Sequence, residues 1–123
     1  MDRREKAVEL KHDGHNCCQA VLCAFADQLD MTVADLDKIG ASFGVGMGCM
    51  EATCGALCAA QMILGSKKYE GRPILRDATG VLRAFTEKCG ASVCKDLKGR
   101  DTGVVLCECD DCVRNAVDII EEI

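Results

Sequence analysis

Asn16-Cys17-Cys18-Gln19-Ala20-Val21-Leu22-Cys23-Ala24-Phe25-Ala26-Asp27-Gln28-Leu29 is the stretch on which the fold turns. Cys18, Val21, Leu22, Phe25 and Leu29 recur at helical spacing and make one apolar stripe. Asn16 stands where an N-cap side chain accepts an otherwise unpaired amide. The stretch predicts a helix from about Cys17 to Leu29, buried along that stripe. On its N-terminal side, Asp2 to Lys11 reads as a shorter helix ended before Gly14. On its C-terminal side, Thr32 with Asp35 three residues on has the form of a capping box. It opens a third helix to about Ser42.

Further out, Phe43-Gly44-Val45-Gly46-Met47-Gly48 reads as a glycine-rich link. A fourth helix is expected from Cys54 to Leu64, closed by Gly65. A fifth has Pro73 in its first turn and carries Ile74, Leu75, Ala78, Val81, Leu82 and Phe85 to Gly90. Ser92 is placed to cap a short helix ending before Gly99. Residues 100 to 109 read as a loop, with Val104-Val105-Leu106 extended. A last helix from about Asp111 carries Val113, Ala116, Val117 and Ile120. One proline and abundant Ala, Leu, Glu and Lys favour helix throughout. No repeat, linker or low-complexity tract interrupts. The expectation is one all-α cysteine-rich domain over residues 1–123, a compact bundle of about five to seven short helices.

Composition removes several classes of function. The net charge is −5, with no basic run beyond Lys67-Lys68, which argues against a nucleic-acid partner. The longest apolar stretch, Ala56 to Leu64, is broken by Gln61. It falls far short of the roughly 20 residues of a membrane helix, so an integral membrane protein is not expected. The N-terminus Met1-Asp2-Arg3-Arg4-Glu5-Lys6 is charged and leads into no apolar run. It reads as lacking a signal peptide, and the expected location is cytoplasmic. Against that stands a count of 11 cysteines in 123 residues. In a reducing compartment such density points to metal binding or redox chemistry rather than structural bridges.

Four thiols fall in predicted first turns: Cys17 after Asn16, Cys54 after Thr53, Cys94 after Ser92 and Cys112 after Asp110. A helix N-terminus favours thiolate, but its dipole supplies only roughly 0.3–1 kcal/mol near the surface. A second contribution is therefore needed. Lys95 beside Cys94 could supply it, whereas Asp110 and Asp111 oppose it at Cys112. Cys107, Cys109 and Cys112 form a C-x-C-x-x-C, which Cys89 and Cys94 could complete as ligands for zinc or an iron–sulfur cluster. The spacing matches neither common ferredoxin arrangement, and no βαβ pattern supports a thioredoxin-like reading. Cys18 and Cys23 read as core. Cys54 and Cys58 share a helix face whose small neighbours also suit close packing. His12 and His15 could serve as base or metal ligand, or simply lie exposed. The glycines at 44, 46 and 48 follow a helix rather than a strand, so phosphate binding is a weak reading.

Taken in order, several motifs resemble a known family. They are Asn16-Cys17-Cys18-Gln19-Ala20-Val21, Phe43-Gly44-Val45-Gly46-Met47-Gly48, Glu51-Ala52-Thr53-Cys54-Gly55-Ala56, Cys94-Lys95-Asp96-Leu97-Lys98-Gly99 and Cys112-Val113-Arg114-Asn115-Ala116. Together they resemble the bacterial C_GCAxxG_C_C family of redox-active proteins over about residues 5 to 122. The resemblance implies a four-cysteine signature at Cys17, Cys54, Cys94 and Cys112. It also implies a redox role often encoded near transporter genes, hence an unknown redox partner associated with a transporter. One departure is Ala59, where the family pattern places a second glycine after Cys54-Gly55-Ala56-Leu57-Cys58. Another is the seven cysteines beyond the signature. Three readings stand: reversible dithiol/disulfide chemistry at the four cysteines; an iron–sulfur or zinc protein for electron transfer or sensing; and a non-catalytic helical module that binds a transporter or forms a homo-oligomer.

Overall fold

Three helices begin where a short polar side chain meets their free amides. The computed structural model describes residues 2–123. Helix α1 (Arg3–His12) is capped by Asp2, whose carboxylate accepts from the Glu5 amide at 2.9 Å. Helix α2 (Cys17–Ala24) opens with a full capping box. Asn16 Oδ1 accepts from the Gln19 amide at 2.8 Å, and Gln19 Oε1 accepts from the Asn16 amide at 2.9 Å. The helix expected to reach Leu29 stops at Ala24. The Arg3 guanidinium takes the Ala24 carbonyl, and the Gln28 amide turns to Phe25 instead. The chain tightens there into a 3₁₀ turn, Ala26–Gln28.

Helix α3 (Val33–Gly40) is capped by Thr32 as its capping sequence predicts, and ends two residues before Ser42. The Asn16 amide group donates to the Gly40 and Ala41 carbonyls at 3.1 and 3.2 Å, tying the end of α3 to the start of α2. The glycine-rich link Phe43 to Gly48 forms a left-handed turn. Val45, Gly46 and Met47 have φ of 54, 54 and 59°, and the Gly48 amide donates to the Gly44 carbonyl at 2.9 Å. Left-handed backbone costs an L-residue roughly 1–2 kcal/mol, so the surrounding contacts hold this turn against strain.

Helix α4 (Gly55–Lys68) runs through Gly65, where closure was expected. Ile63 and Leu64 are buried just before it, and the Lys67 ammonium lies 5.8 Å from the Phe25 ring, so tertiary contacts carry the helix past the glycine. In α5 (Leu75–Cys89) Ile74 is the N-cap, so Pro73 precedes the helix instead of sitting in its first turn. Val81 and Phe85 face inward, but Leu75 and Leu82 are exposed. Helix α6 (Cys94–Lys98) ends at Gly99 as expected and is preceded by Val93 rather than Ser92. Helix α7 (Cys109–Glu121) starts two residues earlier than expected. No strand forms among the described residues; Val104, Val105 and Leu106 are exposed, and the one β-bridge pairs Thr53 with Val93.

The architecture is an all-α bundle. Helix α2 packs against α4, α1 and α3, while α7 closes the bundle against α1, α4 and α5. Phe25, Phe85, Leu22, Leu57, Ile63 and Ile120 lie at the centre of one continuous core. No helix among the described residues is long and apolar enough to cross a membrane.

Candidate functional site

Cys17, Cys94 and Cys112, on three different helices, and Cys54, at the N-cap of a fourth, line one cavity together with Cys107 and Cys109. Its volume is about 20 Å³, room for one water-sized occupant. Backbone pairing brings two of the four together. The Cys54 amide donates to the Ser92 carbonyl at 2.8 Å and the Cys94 amide to the Ala52 carbonyl at 3.0 Å. These bonds flank the Thr53–Val93 bridge and hold the starts of α4 and α6 side by side. Glycines make room for the sulfurs. A Cβ on Gly55 would stand 2.6 Å from Cys17 Sγ, and one on Gly46 would stand 2.6 Å from Cys94 Cβ.

Cys54 is the buried N-cap of α4. Its thiol is drawn well below the usual range, first by contact with the Cys112 thiol, then by the Cys17 thiol, with burial opposing. No full cap hydrogen bond forms, yet the Ala56 and Leu57 amides face the sulfur and favour its anion. Cys17 and Cys112 shift in the opposite direction, raised first by contact with the Cys54 sulfur, and the Cys112 thiol itself donates to the Cys107 carbonyl at 3.8 Å. Of the three neighbouring sulfurs, Cys54 is the one whose anion is favoured.

Behind Cys112 lies a second thiol group. The sulfurs of Cys89, Cys107 and Cys112 all fall within 4.8 Å of one another. The Asn115 amide group donates to Cys89 Sγ at 3.3 Å and Cys107 Sγ at 3.9 Å. Contact with Cys112 lowers the Cys89 thiol to about 7, against burial and with help from Asn115. Burial pushes Cys107 up to about 11. Of the five residues expected as metal ligands, Cys89, Cys107 and Cys112 are thus grouped, whereas Cys94 and Cys109 line the cavity outside that trio.

The helix-start argument holds unevenly. Cys54 has the place it requires. Cys112 does not, because α7 begins at Cys109 and the Cys112 amide already donates to Glu108 at 2.9 Å. The Cys94 amide is likewise taken. Lys95, expected beside Cys94, turns away to Glu51 at 3.8 Å. Lys98 takes that place: burial opposes its charge, but Cys109 and then Cys94 keep its ammonium protonated. One turn of α6 separates Lys98 from Cys94, so helical spacing alone could have marked it. Asn115, three residues after Cys112, was open to the same inference. Asp110 is held by Lys11 at 3.0 Å and His12 at 2.8 Å, and Asp111 by Arg114 at 2.9 Å. Cys18 and Cys23 are buried in the core, and burial pushes each up to about 12. Cys58 is half-buried against that core, and Cys49 is exposed.

A family model described as "Putative redox-active protein (C_GCAxxG_C_C)" matches residues 15–123. No curated protein and no solved structure matches the chain.

Proposed function

The chain belongs to the C_GCAxxG_C_C family, and from that premise we propose that it performs thiol–disulfide exchange, with Cys54 as attacking thiolate and Cys17 as resolving thiol. The observation that supports this reading is the convergence of Cys17, Cys54, Cys94 and Cys112 on one cavity. The Cys54 thiolate attacks one sulfur of a partner disulfide, and the other partner sulfur leaves as a thiolate that takes up a proton. Cys17 then loses its proton and attacks Cys54 Sγ in the mixed disulfide. A Cys17–Cys54 disulfide forms and the second partner sulfur leaves as a thiol. Two electrons pass from the protein's dithiol to the partner disulfide, and the reverse sequence reduces the protein. Cys112 lies in contact with Cys54 before attack, and Lys98 places positive charge at the cavity wall.

The test uses oxidised glutathione as the partner disulfide. A Cys54→Ser variant is expected to lose exchange, while Cys17→Ser accumulates the Cys54–glutathione mixed disulfide seen by intact mass. Full exchange by Cys54→Ser would refute the assignment. One observation favours a second reading: the Cys89, Cys107 and Cys112 trio is a donor set for a soft metal ion. No fourth Cys, His, Asp or Glu among the described residues joins it within that distance. Zinc or an iron–sulfur cluster would draw on these thiolates. Anaerobic purification with metal analysis, absorption spectrum and thiol count decides between the readings. A colourless, metal-free protein with its thiols intact would exclude the second.

A further inference from the structure

Six residues along α2 from Cys17, Cys23 faces α3 instead of the cavity. Its sulfur lies 3.4 Å from Asp37 Oδ1, and His15 Nε2 lies 3.4 Å from the same oxygen. The three ligand atoms all fall within 4.8 Å of one another. The second ring nitrogen decides what this arrangement means. His15 Nδ1 is 3.0 Å from the Leu10 carbonyl oxygen. A carbonyl only accepts, so Nδ1 carries a proton, and in the neutral ring Nε2 bears a lone pair. That lone pair faces a carboxylate oxygen. Two acceptors so placed repel unless a cation lies between them, either a second imidazole proton or a metal ion.

The distances separate the two. A charge-assisted N–H···O bond closes to about 2.7–2.9 Å, and this pair stays at 3.4 Å. Zinc bonds of about 2.0–2.1 Å to nitrogen, 2.0–2.2 Å to oxygen and 2.3 Å to sulfur give tetrahedral edges of about 3.3–3.7 Å. The His15–Asp37 edge fits that shape, and the Cys23–Asp37 distance of 3.4 Å, now spanned by the thiol donating to the carboxylate, lies just inside a sulfur–oxygen edge of about 3.5–3.7 Å. The supporting contacts fit as well. A zinc-ligating histidine commonly donates its free ring N–H to a carbonyl, as His15 does to Leu10. Gln19 Nε2 donates to the Asp37 backbone carbonyl at 2.9 Å, holding that turn of α3 against α2. Gly40 lets the two helices approach, since a Cβ there would already stand 3.2 Å from Gln19 and Leu22.

We propose that His15, Cys23 and Asp37 form a zinc(II) site, distinct from the cysteine cavity, with a solvent water as fourth ligand. The Cys23 sulfur is buried, while the His15 and Asp37 side chains keep 20% and 35% of their surface exposed, which leaves the fourth position on the solvent side. Binding exchanges the Cys23 thiol proton for the ion and releases that proton to solvent. The ion joins the α1–α2 turn, α2 and α3 at one point.

The test is an imidazole ¹H–¹⁵N spectrum of the full-length, reduced, ¹⁵N-labelled protein during titration with zinc chloride. The chain has 2 histidines, so His12 serves as the internal reference. The first equivalent of zinc is expected to move the His15 Nε2 resonance and leave His12 in place. The same shift is expected in Cys54→Ser, which separates this site from the dithiol reading. Asp37→Asn and Cys23→Ser should weaken the response by at least about tenfold. A His15 resonance that stays fixed while zinc is taken up would overturn the proposal. So would a response unchanged in both Asp37→Asn and Cys23→Ser.

Discussion

Replacing Gly55 with alanine sets two physical effects against each other. Gly55 opens α4, directly after Cys54. Helix propensity alone favours alanine by up to about 1 kcal/mol. The structure opposes it, because the added Cβ would stand 2.6 Å from Cys17 Sγ, 2.6 Å from the Phe43 carbonyl oxygen and 3.3 Å from the Cys18 amide nitrogen. Two of these neighbours are backbone atoms, one in the turn after α3 and one in the first turn of α2, so they cannot swing aside as a side-chain end can. Overpacking of this kind typically costs 1–3 kcal/mol, and the net expectation is a loss of about 1–2 kcal/mol. For a chain of this length, roughly 3–5 °C of Tm accompanies each kcal/mol. Gly55→Ala should therefore lower Tm by roughly 3–10 °C in thermal denaturation followed by circular dichroism under reducing conditions. Displacing Cys17 should also slow pairwise thiol loss under mild oxidant. Gly65 and Gly80 are the controls: both lie within helices, and nothing approaches a Cβ built there within 4 Å. Gly65→Ala and Gly80→Ala should each raise Tm by roughly 2–5 °C. If Gly55→Ala behaves like the controls, the close approach of Cys17 to α4 is not a determinant of stability and the reasoning fails.

Two further outcomes can be measured on the same instrument. Asn16→Ala removes the cap of α2 and the bonds to the Gly40 and Ala41 carbonyls. It should cost about 1–2 kcal/mol, read as a lower midpoint in urea with an unchanged slope. Stability should also fall in alkali. Burial raises the Cys18 thiol from 9.0 to about 12 and raises Cys58 in the same direction. An acid whose pKa is raised on folding stabilises fully below its unfolded value and loses that contribution as pH climbs toward the folded one. Between pH 9 and 12 the unfolded chain gives up the Cys18 proton first, at about 1.4 kcal/mol per pH unit, and Cys58 acts in the same direction. A urea midpoint that stays constant from pH 8 to 10.5 would contradict this.

Local signals were sufficient for the secondary structure. Asn16, Thr32, Gly90 and Gly99 mark helix ends because capping and left-handed φ act within a few residues of chain. The lack of strands follows from the same local preferences. Helix ends set by distant partners were not legible. Nothing near Ala24 announces that Arg3 will take its carbonyl, and nothing near Gly65 announces that α4 will continue. The cysteines divide in the same way. The place of Cys54 at the start of α4 could be read from the order of residues, and so could the burial of Cys18 and Cys23. Only tertiary structure set the Cys17 and Cys112 sulfurs against Cys54, left Cys94 and Cys109 outside the Cys89, Cys107 and Cys112 trio, exchanged Lys95 for Lys98 at the cavity, and brought His15 to Asp37. A side chain's partners across the bundle depend on how helices pack. That packing is decided by the whole buried surface at once and by glycines such as Gly46 and Gly55, whose missing Cβ atoms admit a neighbour the linear pattern does not name.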